Sequence, residues 1–323
     1  MSIVASVTSK VINLFFIMIM GVVLRKAGIL DKKSTSTLSS MLVNITNPFL
    51  VICAMQKEFE PTLVRNSFII LGLSVFMHIL TAIIGTFSFK FEKIRSKEKI
   101  YSFAMIFANC GFLGYPVLQS FLGNELGLFY GVFFTLFFNI FCWSYGVILM
   151  NDGKGLDSRT MFRKIFLNPS FISAILGFVF FMLEIKIPVF IGEGMNLIGN
   201  MTFPLSMLIV GSLFCELDIK TVFRDKIIFW YMALKLVLFP ITMIFVSQLL
   251  IVKLMGLPNM FAYLLVTMCS MPAASNTAIM ADYYNADKLL AAKAVSVSTL
   301  FSVVTIPAIM ILASKVFGPL VMV

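Results

Sequence analysis

The residues of this chain best suited to chemistry are uncharged amides and helix-interrupting residues set inside apolar runs. Two segments carry them. One reads Ala108-Asn109-Cys110-Gly111-Phe112-Leu113-Gly114-Tyr115-Pro116, the other Ser270-Met271-Pro272-Ala273-Ala274-Ser275-Asn276-Thr277. A proline interrupts a helix because it lacks the amide hydrogen and its ring clashes with the carbonyl four residues back. The carbonyl orphaned first by Pro116 is that of Phe112. Such a group cannot face hydrocarbon and must meet protein, water or a ligand. A helix that restarts after a break offers free amide hydrogens and a positive dipole end, which suits a carboxylate. The substrate-binding candidates are therefore Asn109, Gly111, Gly114, Pro116, Pro272, Ser275 and Asn276, with Asn44 and Asn47 in support. Two plainer readings stand beside this one. The prolines could simply kink packed helices, and the two asparagines could bond to each other, worth roughly 0.6 kcal/mol.

Three ionisable residues fall well inside apolar runs: His78, Lys235 and Lys293. Such residues are functional candidates in a membrane. His78, the one histidine of the chain, could carry a coupling proton, or could hydrogen-bond between helices. Lys235 could serve substrate or gating, or could snorkel toward water, and snorkelling is the better account of Lys293. No acidic side chain lies inside the first segment, so the pattern does not favour sodium coupling. The five cysteines are scattered singly, which points to neither a disulfide framework nor a metal site. No cofactor is implied.

The elements that position these residues are membrane helices. The chain is 60% hydrophobic and 12% charged, against about 45–50% and 25% for soluble domains. Its apolar runs reach the ~20 residues that cross a bilayer. Ten spans are expected, at 6–25, 35–54, 66–89, 101–122, 126–150, 168–186, 194–214, 226–251, 259–281 and 288–315. Most of the 25 Lys and Arg cluster in alternate connections, including Arg25 to Lys33, Lys90 to Lys99, Lys154 to Lys164 and Lys220 to Lys226. The positive-inside rule places those connections in the cytoplasm and both termini outside it. The net charge of +10 is thereby a matter of topology, and no nucleic-acid partner is expected.

Ten spans divide into two halves of five, and an odd count inverts one half relative to the other. Asn44-Ile-Thr46-Asn-Pro48 matches Asn200-Met-Thr202-Phe-Pro204 at one offset, which also carries Pro116 onto Pro272 and His78 to within one residue of Lys235. The expected fold is all-α and polytopic. Residues 1–150 form one inverted five-helix repeat and 168–323 the other, joined by a short cytoplasmic connection at 151–167. Inverted repeats with interrupted helices are a common plan of secondary transporters, with the site near the midplane.

The Asn44–Pro48 pattern, the Asn109–Pro116 segment, Pro272-Ala273-Ala274 with Asn276, and the stretch Ser296–Pro307 together resemble the auxin efflux carrier family. That family includes the plant PIN carriers and bacterial permeases for malate-type acids. The resemblance covers essentially the whole chain. It implies ten helices in two inverted repeats, with spans four and nine broken and crossing at their prolines, and an elevator-like movement of organic anions. The family's carboxylate-binding region carries over to Asn109, Gly111 through Pro116, and Pro272 through Asn276. The long loop of the larger plant members is absent, which favours a bacterial small-acid permease over an auxin carrier. The expected partners are a small organic anion and the lipid bilayer of a bacterial inner membrane, with a homodimer open. An anion channel or sensor on the same scaffold is the alternative. A membrane-embedded lipid enzyme is disfavoured, because clustered Asp, Glu or His is missing.

Overall fold

The computed structural model describes residues 2–151, 157–215 and 225–322. Within them the chain is helical, and the only β-type pairing is one antiparallel bridge, Ala108 to Ala273. Seven helices are long and apolar enough to cross a membrane: α1 (Ile3–Lys26), α2 (Lys32–Ala54), α3 (Pro61–Ser88), α6 (Asn124–Met150), α9 (Val189–Phe214), α10 (Lys226–Leu254) and α13 (Lys288–Phe317). The pair α7 (Ser158–Phe166) and α8 (Pro169–Met182), bent by 59°, makes an eighth when read as one span. The two remaining expected spans are each found in two pieces. These are α4 (Arg95–Ile106) with α5 (Cys110–Leu122), and α11 (Asn259–Cys269) with α12 (Asn276–Tyr283).

Local chemistry sets the helix ends. Ser2 caps α1 through Ala5 N at 3.3 Å, and Arg25 and Lys26 close its last turn, where cations complement the negative dipole end. Asp31 caps α2 by accepting from Ser34 N at 2.6 Å, and Asp157 caps α7 by accepting from Thr160 N at 2.9 Å. Inside α2, Pro48 follows a widened π-type turn over Leu42–Thr46. Such a turn lets a helix pass a proline without leaving its axis.

The helices pack in two groups. In one, α1 and α9 meet backbone to backbone. A Cβ on Gly211 would lie 2.0 Å from Met18 O, and one on Gly21 would lie 2.4 Å from Leu208 O. Small residues permit this approach, which gives close dispersion contact where lipid removes the hydrophobic drive between helices. α2 joins this group through the hydroxyl of Thr202, which donates to Thr46 Oγ1 at 2.9 Å. In the other group, α6 lies against α5 and α3. There Ser74 Oγ donates to Phe134 O at 2.6 Å and Asn66 Nδ2 to Tyr130 OH at 3.2 Å. The broken helices stand between α6 and α13, and the site lies where they face α2 and α8.

Candidate functional site

The two interruptions meet each other. α4 ends at Ile106, and residues 107–109 leave the helix; α11 ends at Cys269, and the chain turns through 270–275. Asn109 N donates to Pro272 O at 2.7 Å and Ala274 N to Phe107 O at 2.9 Å. This short antiparallel bridge satisfies in protein the backbone groups that hydrocarbon would leave bare. Ala273 N donates to Ser298 Oγ of α13 at 3.2 Å, and Asn109 O accepts from Leu113 N and Gly114 N at 3.3 and 3.1 Å.

The first break falls at 107–109, at the start of the expected Ala108–Pro116 segment and not at its proline. Pro116 lies in the first turn of the regular helix Tyr115–Leu122, after a π-type turn over Cys110–Gly114. As at Pro48 in α2, the widened turn carries the helix past the proline without interrupting it, so Pro116 does not mark the break. Pro272, in contrast, sits in the break itself. The two prolines are not counterparts, and spans four and nine do not both cross at their prolines. His78 and Lys235 are likewise unpaired by the helix frames. α3 begins at Pro61 and α10 at Lys226, a longer offset than that joining Thr46 to Thr202.

A cavity of about 330 Å³ opens beside the crossing, and its lining includes Asn47, Asn109, Gly111, Ser275 and Asn276. Gly114, Pro116, Pro272 and Asn44 lie off it. Gly114 packs on α11, where a Cβ would meet Met268 Sδ at 2.9 Å. Asn44 is exposed and donates to its own helix, to Ser40 O at 2.9 Å. Asn109 is 3% exposed. Its Oδ1 accepts from Phe112 N at 3.2 Å and caps the restarted helix, while its Nδ2 is buried without a partner. Gly111 has open space where a Cβ would stand. Asn276 Nδ2 reaches only Cys142 Sγ, at 4.0 Å, and Asn47 Nδ2 donates to Ser170 Oγ at 2.8 Å.

Thr135, Asn139 and Trp143 of α6 also line the cavity. Their spacing of four residues puts them on one helix face, a signal present in the sequence but submerged among the phenylalanines around it. Tyr115 and Thr135 hydroxyls are hydrogen-bonded to each other. None of the described lining residues carries a formal charge.

The two buried ionisable candidates stand behind the crossing, outside the cavity lining. His78 Nδ1 lies 2.7 Å from Ser74 O, and five phenyl rings surround the imidazole at 5.7–6.4 Å: Phe107, Phe134, Phe137, Phe138 and Phe141. Lys235, 1% exposed, donates to Met105 O at 2.8 Å in the last turn of α4. A cation at that helix end complements its dipole. Lys293 is half-buried, and Asp282, its sequence neighbour, pairs instead with Lys288 at 3.0 Å.

Comparison with known proteins adds an independent line. The sequence profile of the membrane transport protein family matches residues 6–160 and 156–310. An uncharacterized transporter of Methanothermobacter thermautotrophicus is 24% identical over 304 residues, 93% of this chain and 96% of that protein. An uncharacterized transporter of Methanocaldococcus jannaschii is 26% identical over 300 residues, 86% and 90% of the two chains.

Proposed function

Since the chain belongs to the membrane transport protein family, that of the auxin efflux carriers it resembles, we propose that it moves a small organic anion across the membrane by alternating access. The observation that carries the reading is the Asn109 amide: a buried donor without a partner, on a residue that lines the cavity at the start of α5. A buried donor left unpaired costs about 1–3 kcal/mol, and a bound carboxylate oxygen relieves that cost. Ser275 and Asn276 open α12 across the same cavity, so two positive helix ends face one space.

The lining also narrows the anion. With no lysine or arginine among the described lining residues, one carboxylate is matched by amides, hydroxyls and helix ends, and the charge of a second would meet no countercharge. The favoured cargo is a monocarboxylate with an apolar body.

The same reading gives ten crossings in two inverted repeats, 1–150 and 168–323, joined by 151–167. α4 with α5 and α11 with α12 supply the fourth and ninth. Two contacts support it. Thr46 and Thr202, matched by the sequence repeat, touch each other, as residues on a two-fold axis do. The Ala108–Ala273 antiparallel bridge is two-fold by construction. The Lys- and Arg-rich connections set both termini outside the cytoplasm. The cavity then lies in the cytoplasmic half, because Ser39, Trp143, Asn168 and Met280 all line it near helix ends on that side.

The test is binding to purified protein of a panel of mono- and dicarboxylates matched in carbon number. Monocarboxylates bind more tightly, and Asn109→Ala and Asn276→Ala each weaken them. Equal or better binding of dicarboxylates refutes the charge argument, and unaltered binding by both variants refutes the site. Saturable counterflow from proteoliposomes, as opposed to unitary currents, separates a carrier from a channel.

A further inference from the structure

The short helix α7 has no place in the anion site, yet its two faces are chemically distinct. Arg159, Phe162, Arg163 and Phe166 follow the three- and four-residue spacing of one helix face, and all four are exposed. The Phe162 and Phe166 rings lie 4.3 Å apart, and Phe166 meets Phe171 of α8 edge-on at 5.2 Å. The phenyl stripe thus runs into the apolar outer surface of α8, where Ile172 and Ile175 are exposed. Among the described residues no ion pair involves either arginine. The opposite face is buried. Ile165 packs inward, and the buried Lys164 ammonium sits 3.7 Å over the Tyr283 ring, 5.2 Å from Trp143 and 5.6 Å from Tyr284. Such rings attract a desolvated cation through their quadrupole. Trp143 lines the cavity, and Tyr283 ends the helix that Asn276 begins.

We propose that α7 is a binding site for anionic phospholipid, and that its occupancy is transmitted through Lys164 to the mouth of the cavity. The occupant follows from charge and continuity. Two guanidinium groups beside two phenyl rings match a phosphate layer over acyl chains, and the rings extend a surface that already faces lipid. Guanidinium holds a phosphate oxygen pair in a planar fork. Lipid drawn onto one face of α7 loads its other face, where Lys164 joins α7 to α6 and α12. The inference rests on the membrane placement of the chain and not on the identity of the transported anion.

The chain has two tryptophans, so Trp230→Phe leaves Trp143 as the sole emitter beside Lys164. The protein is placed in nanodiscs of phosphatidylcholine alone, or of phosphatidylcholine with phosphatidylglycerol. Retained lipid is counted by native mass spectrometry and Trp143 emission is recorded. Phosphatidylglycerol should be retained preferentially and shift the emission. Arg159→Gln with Arg163→Gln should weaken retention about tenfold or more, at ~1 kcal/mol per basic residue, and abolish the shift. Lys164→Met should keep the lipid and lose the shift. Equal retention by the wild type and the double arginine variant overturns the site. Retention lost with the emission response intact, or a response that survives Lys164→Met, overturns the transmission. Neither result bears on anion binding, which is measured separately.

Discussion

The two interruptions at the centre of the molecule are built differently. Between α4 and α5 the break is three residues, 107–109, and Asn109 gathers most of its polar bonds. Asn109 bridges to Pro272 through its amide, takes two amides on its carbonyl and caps Phe112 with its side chain. Between α11 and α12 the break is longer, 270–275. Ser275 gives α12 no side-chain cap, Asn276 has only a distant sulfur, and Ala273 leans on Ser298 of another helix. One side of the cavity therefore carries an amide whose position is already fixed. The other presents groups that must still be ordered by whatever binds. Preorganised donors contribute more to affinity, because less ordering is lost on binding, so the α4–α5 side should dominate recognition.

The sharpest way to break that comparison is Asn109→Asp. The carboxylate keeps the cap on Phe112 and replaces the free donor with a like charge. Anion affinity should fall about 100-fold, the value of one charge-assisted hydrogen bond at its upper end, and the buried, unpaired carboxylate should lower the melting temperature as well. Asn276→Ala removes the less ordered partner and should cost about 3- to 10-fold in affinity. Equal losses for Asn276→Ala and Asn109→Ala would erase the proposed asymmetry. Ser298→Ala acts on the second break alone. It leaves Ala273 N buried without an acceptor, costs about 1–3 kcal/mol of stability, and is read by thermal unfolding in detergent. Gly114→Ala presses on the first break from outside the cavity. It meets the flexible Met268 side chain, so about 1 kcal/mol of stability is lost and binding is retained.

The smallest effect concerns α2, one wall of the cavity. The Ser34 hydroxyl, and after it the Ser34 amide, hold the Asp31 carboxyl below its ordinary range. A carboxylate with a depressed folded pKa stabilises above the unfolded value and loses that contribution as pH falls through the folded one. Wild-type stability should therefore decline below pH ~4 with a component that Asp31→Asn lacks, a small difference because the group is exposed.

Much of this was legible in the chain. Apolar runs marked the helices, because a bilayer imposes a minimum length. Asn109 and Asn276, singled out as amides in apolar surroundings, do face one cavity. Pro116 misled because a widened turn carries α5 past it, whereas the real break is held by bonds to Pro272 and Ala274, which no local pattern reveals. The repeat offset read at Thr46 and Thr202 failed for Pro116 and for His78 for a related reason. The second half is longer between α9 and α10, a stretch that includes residues outside those described. Thr135, Asn139 and Trp143 escaped notice because a polar stripe on a phenylalanine-rich helix is indistinguishable from packing until the neighbouring helices are in place.

The most direct measurement is counterflow of a labelled monocarboxylate in proteoliposomes, comparing wild type with Asn109→Asp. The account predicts saturable exchange, accelerated by unlabelled monocarboxylate on the far side and lost in the variant. Exchange indifferent to Asn109→Asp, or anion passage as unitary currents, would contradict it.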